Sequence, residues 1–531
     1  MKKTFITVAL LAGLCLQAGA QEIEYARPEN SPESCTSIMV GRKASADGSV
    51  ITSHTCDGNY RTWMHIVPAA RYDRDTTTVI YDGLMHTEFV DDRSPWTVKG
   101  AIPQARATFR FLNTSYPSLN EKQLGIGETT ITGRRELVNR NGMFMIEELE
   151  RLALERCTTA RDAIRLMGDL VARYGYADAG ECLTIADTKE VWHFEVFGEG
   201  PDKIGGVWAA VRIPDDHVGV SANIPRISSL DLNDRDRYMA SANVFDVARK
   251  LGYWDGTTPF CFWKAYGGGT KAFNIREFFI LSSLAPSLAL SYDAEELPFS
   301  VRPEKSVSVT DVITFLRQTY EGTKWDMTQN LKVRIRARGS SETEETVSPA
   351  ANPWMGADMI EMLNALDSGA VTRYRLVAVP QCSYSTVIQL RDWLPDDVGG
   401  VAWLSFDNPG QSPRIPVFCG TTSLPDCFGI CGQHRYRDDA AIWHFRRTNK
   451  LATVRWGLTR DKLNAALAHF DRKGQTELPF VEKIYAALRE HESEEAARAY
   501  LTGYTADFAG ATILRWREMG DEFWKMFARG F

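Results

Sequence analysis

Cys35-Thr36-Ser37-Ile38-Met39-Val40 and Val50-Ile51-Thr52-Ser53-His54-Thr55-Cys56-Asp57 flank Ser45-Ala46-Asp47-Gly48. Two runs rich in β-branched and apolar residues around a segment of turn chemistry predict a β-hairpin. Cys35 and Asp57 each lie eleven residues from Ala46. A hairpin folded about that turn therefore sets them opposite each other and on one face. A carboxylate alone disfavours a thiolate, so the pair becomes chemically useful only if a cationic amine lies between them. An N-terminal cysteine supplies one: its α-amine, with a reference pKa of about 8, can take the thiol proton while Asp57 orients the ammonium. The competing reading makes Cys35 half of a disulfide and Asp57 the end of a strand.

What precedes Cys35 bears on that choice. Lys2 and Lys3, an apolar run over 5–16 and Ala18-Gly19-Ala20 read as a signal peptide over 1–20. Leu14 stands where a lipoprotein reading through Cys15 wants a small residue. Residues 21–34, polar with Pro28 and Pro32 and without hydrophobic periodicity, read as a leader. The expected product is an exported protein, periplasmic or extracellular. Charged residues interrupt every later apolar stretch, so no membrane insertion is expected after signal removal.

A formal charge of −7 over 531 residues, with no long basic run, gives no electrostatic reason to invoke nucleic acid or anionic membrane. Small molecules or peptides are the expected partners, and a homo-oligomer is compatible with this composition. Nine cysteines beyond the signal peptide leave an odd thiol if the others pair. Cys419, Cys427 and Cys431 with His434 lack a paired Cys-x-x-Cys, so no metal is assigned to them.

Downstream, 145–157 and 160–174 carry helical periodicity, with Thr158-Thr159 as capping residues. Short strand-like runs follow at 182–185, 191–196, 207–213 and 218–222. Helical pattern returns at 275–283 and 309–320, strand pattern at 384–390 and 400–405, and helices from about 460 to 527. Strands in groups and helices in groups indicate an α+β protein of layered sheets and helices. The expected units are a catalytic domain over 35–457 and a helical C-terminal region over 458–531.

The opening Cys35 to Gly41, followed by Ala46-Asp47-Gly48-Ser49 and Asp57-Gly58, resembles the mature start of the dipeptidase A and secernin family of N-terminal-nucleophile hydrolases. Later stretches agree in order: Asn120-Glu121-Lys122, Gly180-Glu181, Thr184 to Asp187, Val191-Trp192 and Arg212 to Val218, then Leu297 to Val301, Tyr320 to Thr323, and Trp403 with Asp407-Asn408-Pro409. The resemblance implies a four-layer αββα sandwich with a helical C-terminal extension. It implies a cysteine dipeptidase that needs no metal or organic cofactor; removal of the leader is expected to be autocatalytic, by attack of the Cys35 thiol on the Ser34 carbonyl, with cleavage by an external protease as the alternative. Cys35 would be the nucleophile, its own amine the base, and Asp57 the orienting residue. Asn223 falls where relatives place an oxyanion-hole amide; read by itself it is a turn residue before Pro225. Glu128-Thr129-Thr130 falls near the strand that supplies another oxyanion donor, a backbone N–H.

The chain departs from the family at His54, where relatives often carry arginine. On a regular strand His54 faces away from Asp57 and reaches the site only if the strand bulges; otherwise it reads as a core or solvent-facing residue. Cys56 reads as a small buried residue or a disulfide partner. An acylase acting on non-peptide amides, of penicillin or bile-salt type, shares this chemistry and stays open. A non-catalytic exported binding protein with a disulfide-bonded Cys35 is the alternative from another class.

Overall fold

The opening hairpin forms from Ser34–Val40 and Val50–Asp57, both buried along their whole length. The computed structural model describes residues 34–87, 93–336, 341–433 and 435–530. The signal peptide, residues 21–33 of the leader and His434 lie outside the described residues. Ser34, read as the last leader residue, already belongs to the first strand.

The register differs from expectation by one residue: Cys35 pairs with Cys56, and Asp57 with Ser34. The reason lies in 41–49, which is not a tight turn. Gly41, Lys43 and Ala44 bond the backbone of His217 and Asp215, and Ala46 bonds Val307. Asp47 Oδ1 gathers the Ser45 hydroxyl and the Ser49 N–H and hydroxyl. This folded loop moves the hairpin midpoint half a residue toward the N-terminus. Because side chains alternate with period two, the shift inverts the faces. Cys35, His54 and Cys56 now share a face, and Asp57 lies on the other.

Among the described residues, the hairpin sits inside a seven-stranded sheet, with Val218–Ser221 beside the first strand and Cys382–Leu390 beside the second. Val401–Phe406 and Ile415–Phe418 continue that sheet to one edge. An eight-stranded sheet contains Gly125–Thr130, Glu181–Ala186, Val191–Gly198 and Gly206–Ile213, antiparallel and in succession. The two sheets face each other closely. A Cβ on Gly127 would stand 2.3 Å from the Ser53 carbonyl oxygen, so only glycine fits there. The Thr52 and Thr184 hydroxyls meet at 2.7 Å across the same gap.

Helices cover the sheets. Ile146–Arg156 and Ala160–Tyr174 pack on the eight-stranded sheet, the second capped by the Thr159 hydroxyl as its sequence suggests. Ile275–Leu284 and Val309–Leu316 lie against the outer side of the hairpin's sheet, each opened by a capping box, Asn274 with Glu277 and Ser308 with Asp311. The second stops at Leu316, short of the expected Tyr320, whose φ of 63° is incompatible with a continuing helix. Ala441–Val454, Trp456–His491 and Glu494–Met526 form a C-terminal helical region against the edge strands. Trp192 and Trp403 are fully buried core residues. Among the described residues, no helix is long and apolar enough to cross a membrane.

Candidate active site

Cys35 is wholly buried, and all nine cysteines among the described residues are free thiols. The disulfide reading of Cys35 and of Cys56 is thereby overturned. Three neighbouring elements fix the residue. Val218–Ser221 runs antiparallel to the first strand, and just past its end Asn223, in the left-handed region at φ 65°, accepts the Cys35 N–H on Oδ1 at 2.9 Å. The Asn223 Nδ2 amide donates one N–H to the Thr130 carbonyl at 2.7 Å and retains a second. From the first turn of helix Ile275–Leu284, Arg276 donates to the Cys35 carbonyl (2.7 Å), the Thr36 hydroxyl (3.1 Å), the Ala222 carbonyl (2.9 Å) and Asn223 Oδ1 (2.9 Å). Burial lowers Arg276 to about 10, so it stays a cation at neutral pH.

On the facing sheet, Glu128 accepts from the Cys35 thiol on Oε2 at 3.2 Å and from the Thr130 hydroxyl on Oε1 at 3.0 Å. Burial, then the Glu128 charge, pushes the thiol well above its ordinary value, and a hydrogen bond from the Asp57 backbone opposes them only weakly. In this intact chain the thiol is protonated.

His54 reaches the site without a bulge in its own strand, because the corrected register puts it on the Cys35 face. It is buried, with Nδ1 between the Glu128 carbonyl oxygen (2.7 Å) and N–H (3.2 Å), and burial lowers it to about 4. Imidazole, thiol and Glu128 carboxylate offer metal-donor atoms within 4.8 Å of one another. The His54 Nδ1 is engaged by the Glu128 backbone, while its Nε2 is buried without a hydrogen-bond partner. Among the described residues, Cys419, Cys427 and Cys431 form no such group.

Asp57 corrects the expectation most directly. Its side chain does not face the thiol: Oδ2 accepts from Arg375 (2.8 Å) and the Thr55 hydroxyl (3.1 Å) on the other face, and Arg375 also bonds the Ser34 hydroxyl. Asp57 Oδ1 is buried without a hydrogen-bond partner, beside the Cys382 thiol. Thr129 turns to Ser221, hydroxyl to hydroxyl at 2.6 Å.

Sequence reasoning missed Glu128 as a side chain in its own right, and missed Arg276 and Arg375. Arg276 had a signal: a lone cation in the apolar pattern of Ile275–Leu284. Two cavities flank the site, one of about 520 Å³ lined by Asn223, Pro225 and Trp263, the other of about 380 Å³ lined by Arg375, Tyr374 and Trp354.

The model of Peptidase family C69 matches residues 34–468. The chain belongs to that family. Similar proteins include a probable dipeptidase of Latilactobacillus sakei, 26% identical over 417 residues covering 74% of this chain and 76% of the relative. A probable dipeptidase of Salmonella dublin is 27% identical over 410 residues, 73% of this chain and 81% of the relative. A probable dipeptidase B of Lactococcus lactis subsp. lactis is 24% identical over 413 residues, 74% and 76% respectively. The site described above lies wholly within the C69 match.

Proposed function

We propose that this C69 peptidase is an exported cysteine dipeptidase working as an N-terminal nucleophile. The proposed frame is a four-layer αββα catalytic domain over 35–457 followed by a helical region over 458–531. The observation that carries the reading is the double hold on Cys35: Asn223 Oδ1 takes its nitrogen while Arg276 fixes its carbonyl. That hold positions the nitrogen itself, which a cysteine acting by its thiol alone does not need. Support comes also from the family match, which begins at Ser34, and from relatives named as dipeptidases.

Cleavage before Cys35 removes Ser34 from its place opposite Asp57 and takes away one of the partners of Arg375, leaving it Asp57 and the Leu376 carbonyl. The new α-amine then has Asn223 on one side and the unpartnered Asp57 Oδ1 within one register step on the other. In turnover the amine takes the thiol proton and sulfur attacks the substrate carbonyl. The second Nδ2 N–H of Asn223 and a backbone donor hold the oxyanion, the amine protonates the leaving amine, and water releases the acyl group from the thioester. No step calls on a metal or an organic cofactor.

The test is a substrate panel on protein whose first residue has been determined by intact mass: unblocked dipeptides, longer peptides, penicillin V and a glycine-conjugated bile salt. Hydrolysis of dipeptides with Cys35 at the N-terminus is expected. Turnover confined to penicillin V or the bile salt would replace the dipeptidase with an acylase. Asp57→Asn, which keeps shape and removes charge, is expected to leave a folded protein with weakened hydrolysis.

A further inference from the structure

The base proposed for turnover does not exist before maturation. In the intact chain the Cys35 nitrogen is a peptide nitrogen that donates to Asn223 and has no basic lone pair. If the bond after Ser34 is opened by the Cys35 thiol, another group must take the thiol proton. The thiol is already committed to one: Glu128 Oε2, 3.2 Å away, with both residues wholly buried. Glu128 is held as an acceptor. The Thr130 hydroxyl donates to its other oxygen, and the Glu181 carboxyl from the adjacent strand lies against it. Burial, then the Glu128 charge and a hydrogen bond to Glu128, pushes Glu181 well above the ordinary carboxyl range. Thr129, Thr130 and Asn223 then tie the same strand end to the strand that flanks Cys35.

We propose that Glu128 is the general base of self-maturation, a role separate from that of the α-amine in turnover. The inference rests on the reading of Cys35 as an N-terminal nucleophile. The thiol proton passes to Glu128 Oε2 as sulfur bonds to the Ser34 carbonyl carbon. When that adduct collapses, the C–N bond breaks and the Cys35 nitrogen takes the proton from Glu128, leaving a neutral amine and a thioester. Water then supplies hydroxyl to the acyl carbon and hydrogen to sulfur, releasing the segment that ends in Ser34. Each proton lent to Glu128 is returned, so Glu128 is free again when the amine first becomes available.

The experiment follows loss of the residues before Cys35 by intact mass in wild type, Glu128→Gln and Glu128→Asp, from pH 6 to 10, with thermal melts to confirm folding. Expected is a slowing of at least about 100-fold for Glu128→Gln at pH 7, the usual scale for a lost general base. Its rate should climb about tenfold per pH unit, as hydroxide replaces the carboxylate, while wild type changes far less. Maturation of folded Glu128→Gln at the wild-type rate would overturn the proposal. So would a slowed rate with the wild-type pH dependence, which marks structural damage only. Should Glu128→Gln fail to fold, Glu128→Asp decides: a folded chain maturing at the wild-type rate overturns the proposal, and a slower one upholds it. Wild type that hydrolyses peptides while keeping the residues before Cys35 would instead overturn the reading underneath.

Discussion

Two cysteines in the same core have an imidazole and a carboxylate for neighbours, and they are arranged oppositely. Cys182 lies 3.4 Å from His193 Nε2, and the same nitrogen meets Glu195 Oε1 at 2.8 Å. Burial works against a charge on His193, but the Cys182 sulfur and Glu195 outweigh it and raise the ring to about 9. Cys35 has the carboxylate next to it, and its imidazole, His54, is held neutral at about 4. By local chemistry alone Cys182 is the better nucleophile. Both thiols are wholly buried, but Glu195 Oε1 is engaged in accepting the N–H groups of Arg226 and Ile227, whereas Asn223, which holds the Cys35 nitrogen, lines a cavity. The difference teaches that a cysteine's role here follows from its place in the chain and beside a cavity. On the proposed reading, the cation that Cys35 lacks would be made by cutting the chain.

Breaking that comparison most sharply, Cys35→Ala should abolish peptide hydrolysis and leave the residues before it attached, whereas Cys182→Ala should still mature and turn over within about tenfold of wild type. Loss of all activity in folded Cys182→Ala would reverse the assignment. Next in size, Asn223→Ala should lower kcat more than it raises KM, by roughly 3 kcal/mol as for other oxyanion donors. An effect on KM alone would move Asn223 to substrate binding.

The histidines sharpen the contrast through stability. His54, lowered to about 4, contributes stability that is present above 6.5 and lost as pH falls toward 4. His193, raised to about 9, contributes stability that is present below 6.5 and lost as pH rises through 9. Each amounts to on the order of 3 kcal/mol at its limit. Melting curves should therefore steepen against acid through His54 and against alkali through His193. His54→Gln should flatten only the acid limb and His193→Gln only the alkaline one; the same limb changing in both would refute the contrast. Smallest is the bridge between the regions, where the Ser221 hydroxyl meets Thr129 at 2.6 Å and donates to Cys182 at 3.3 Å. Ser221→Ala should cost about 1 kcal/mol by denaturant unfolding, the worth of a buried hydrogen bond. A cost above about 3 kcal/mol would show that the two regions act as one unit.

The opening hairpin was legible because β-branched runs around turn residues leave few alternatives, and the grouped strands and helices were legible for the same reason. Its register was not, since that depends on the folded loop 41–49 and its bonds to residues more than a hundred positions away. One misplaced step then put Asp57 on the thiol's face and His54 off it. The Glu128 side chain escaped notice because a glutamate in Gly125–Thr130 reads as solvent-facing until the facing sheet is known to cover it. Arg276 was visible as a cation in an apolar helix. Arg375, which follows a helix in an irregular stretch, carried no periodic signal at all.

The central claim is that chemistry begins at a cysteine exposed by cutting, and intact mass with peptide turnover on the same preparation tests it most directly. The account predicts that active protein starts at Cys35 and that protein retaining Ser34 is inactive. Full activity in protein whose mass still includes the residues before Cys35 would contradict it.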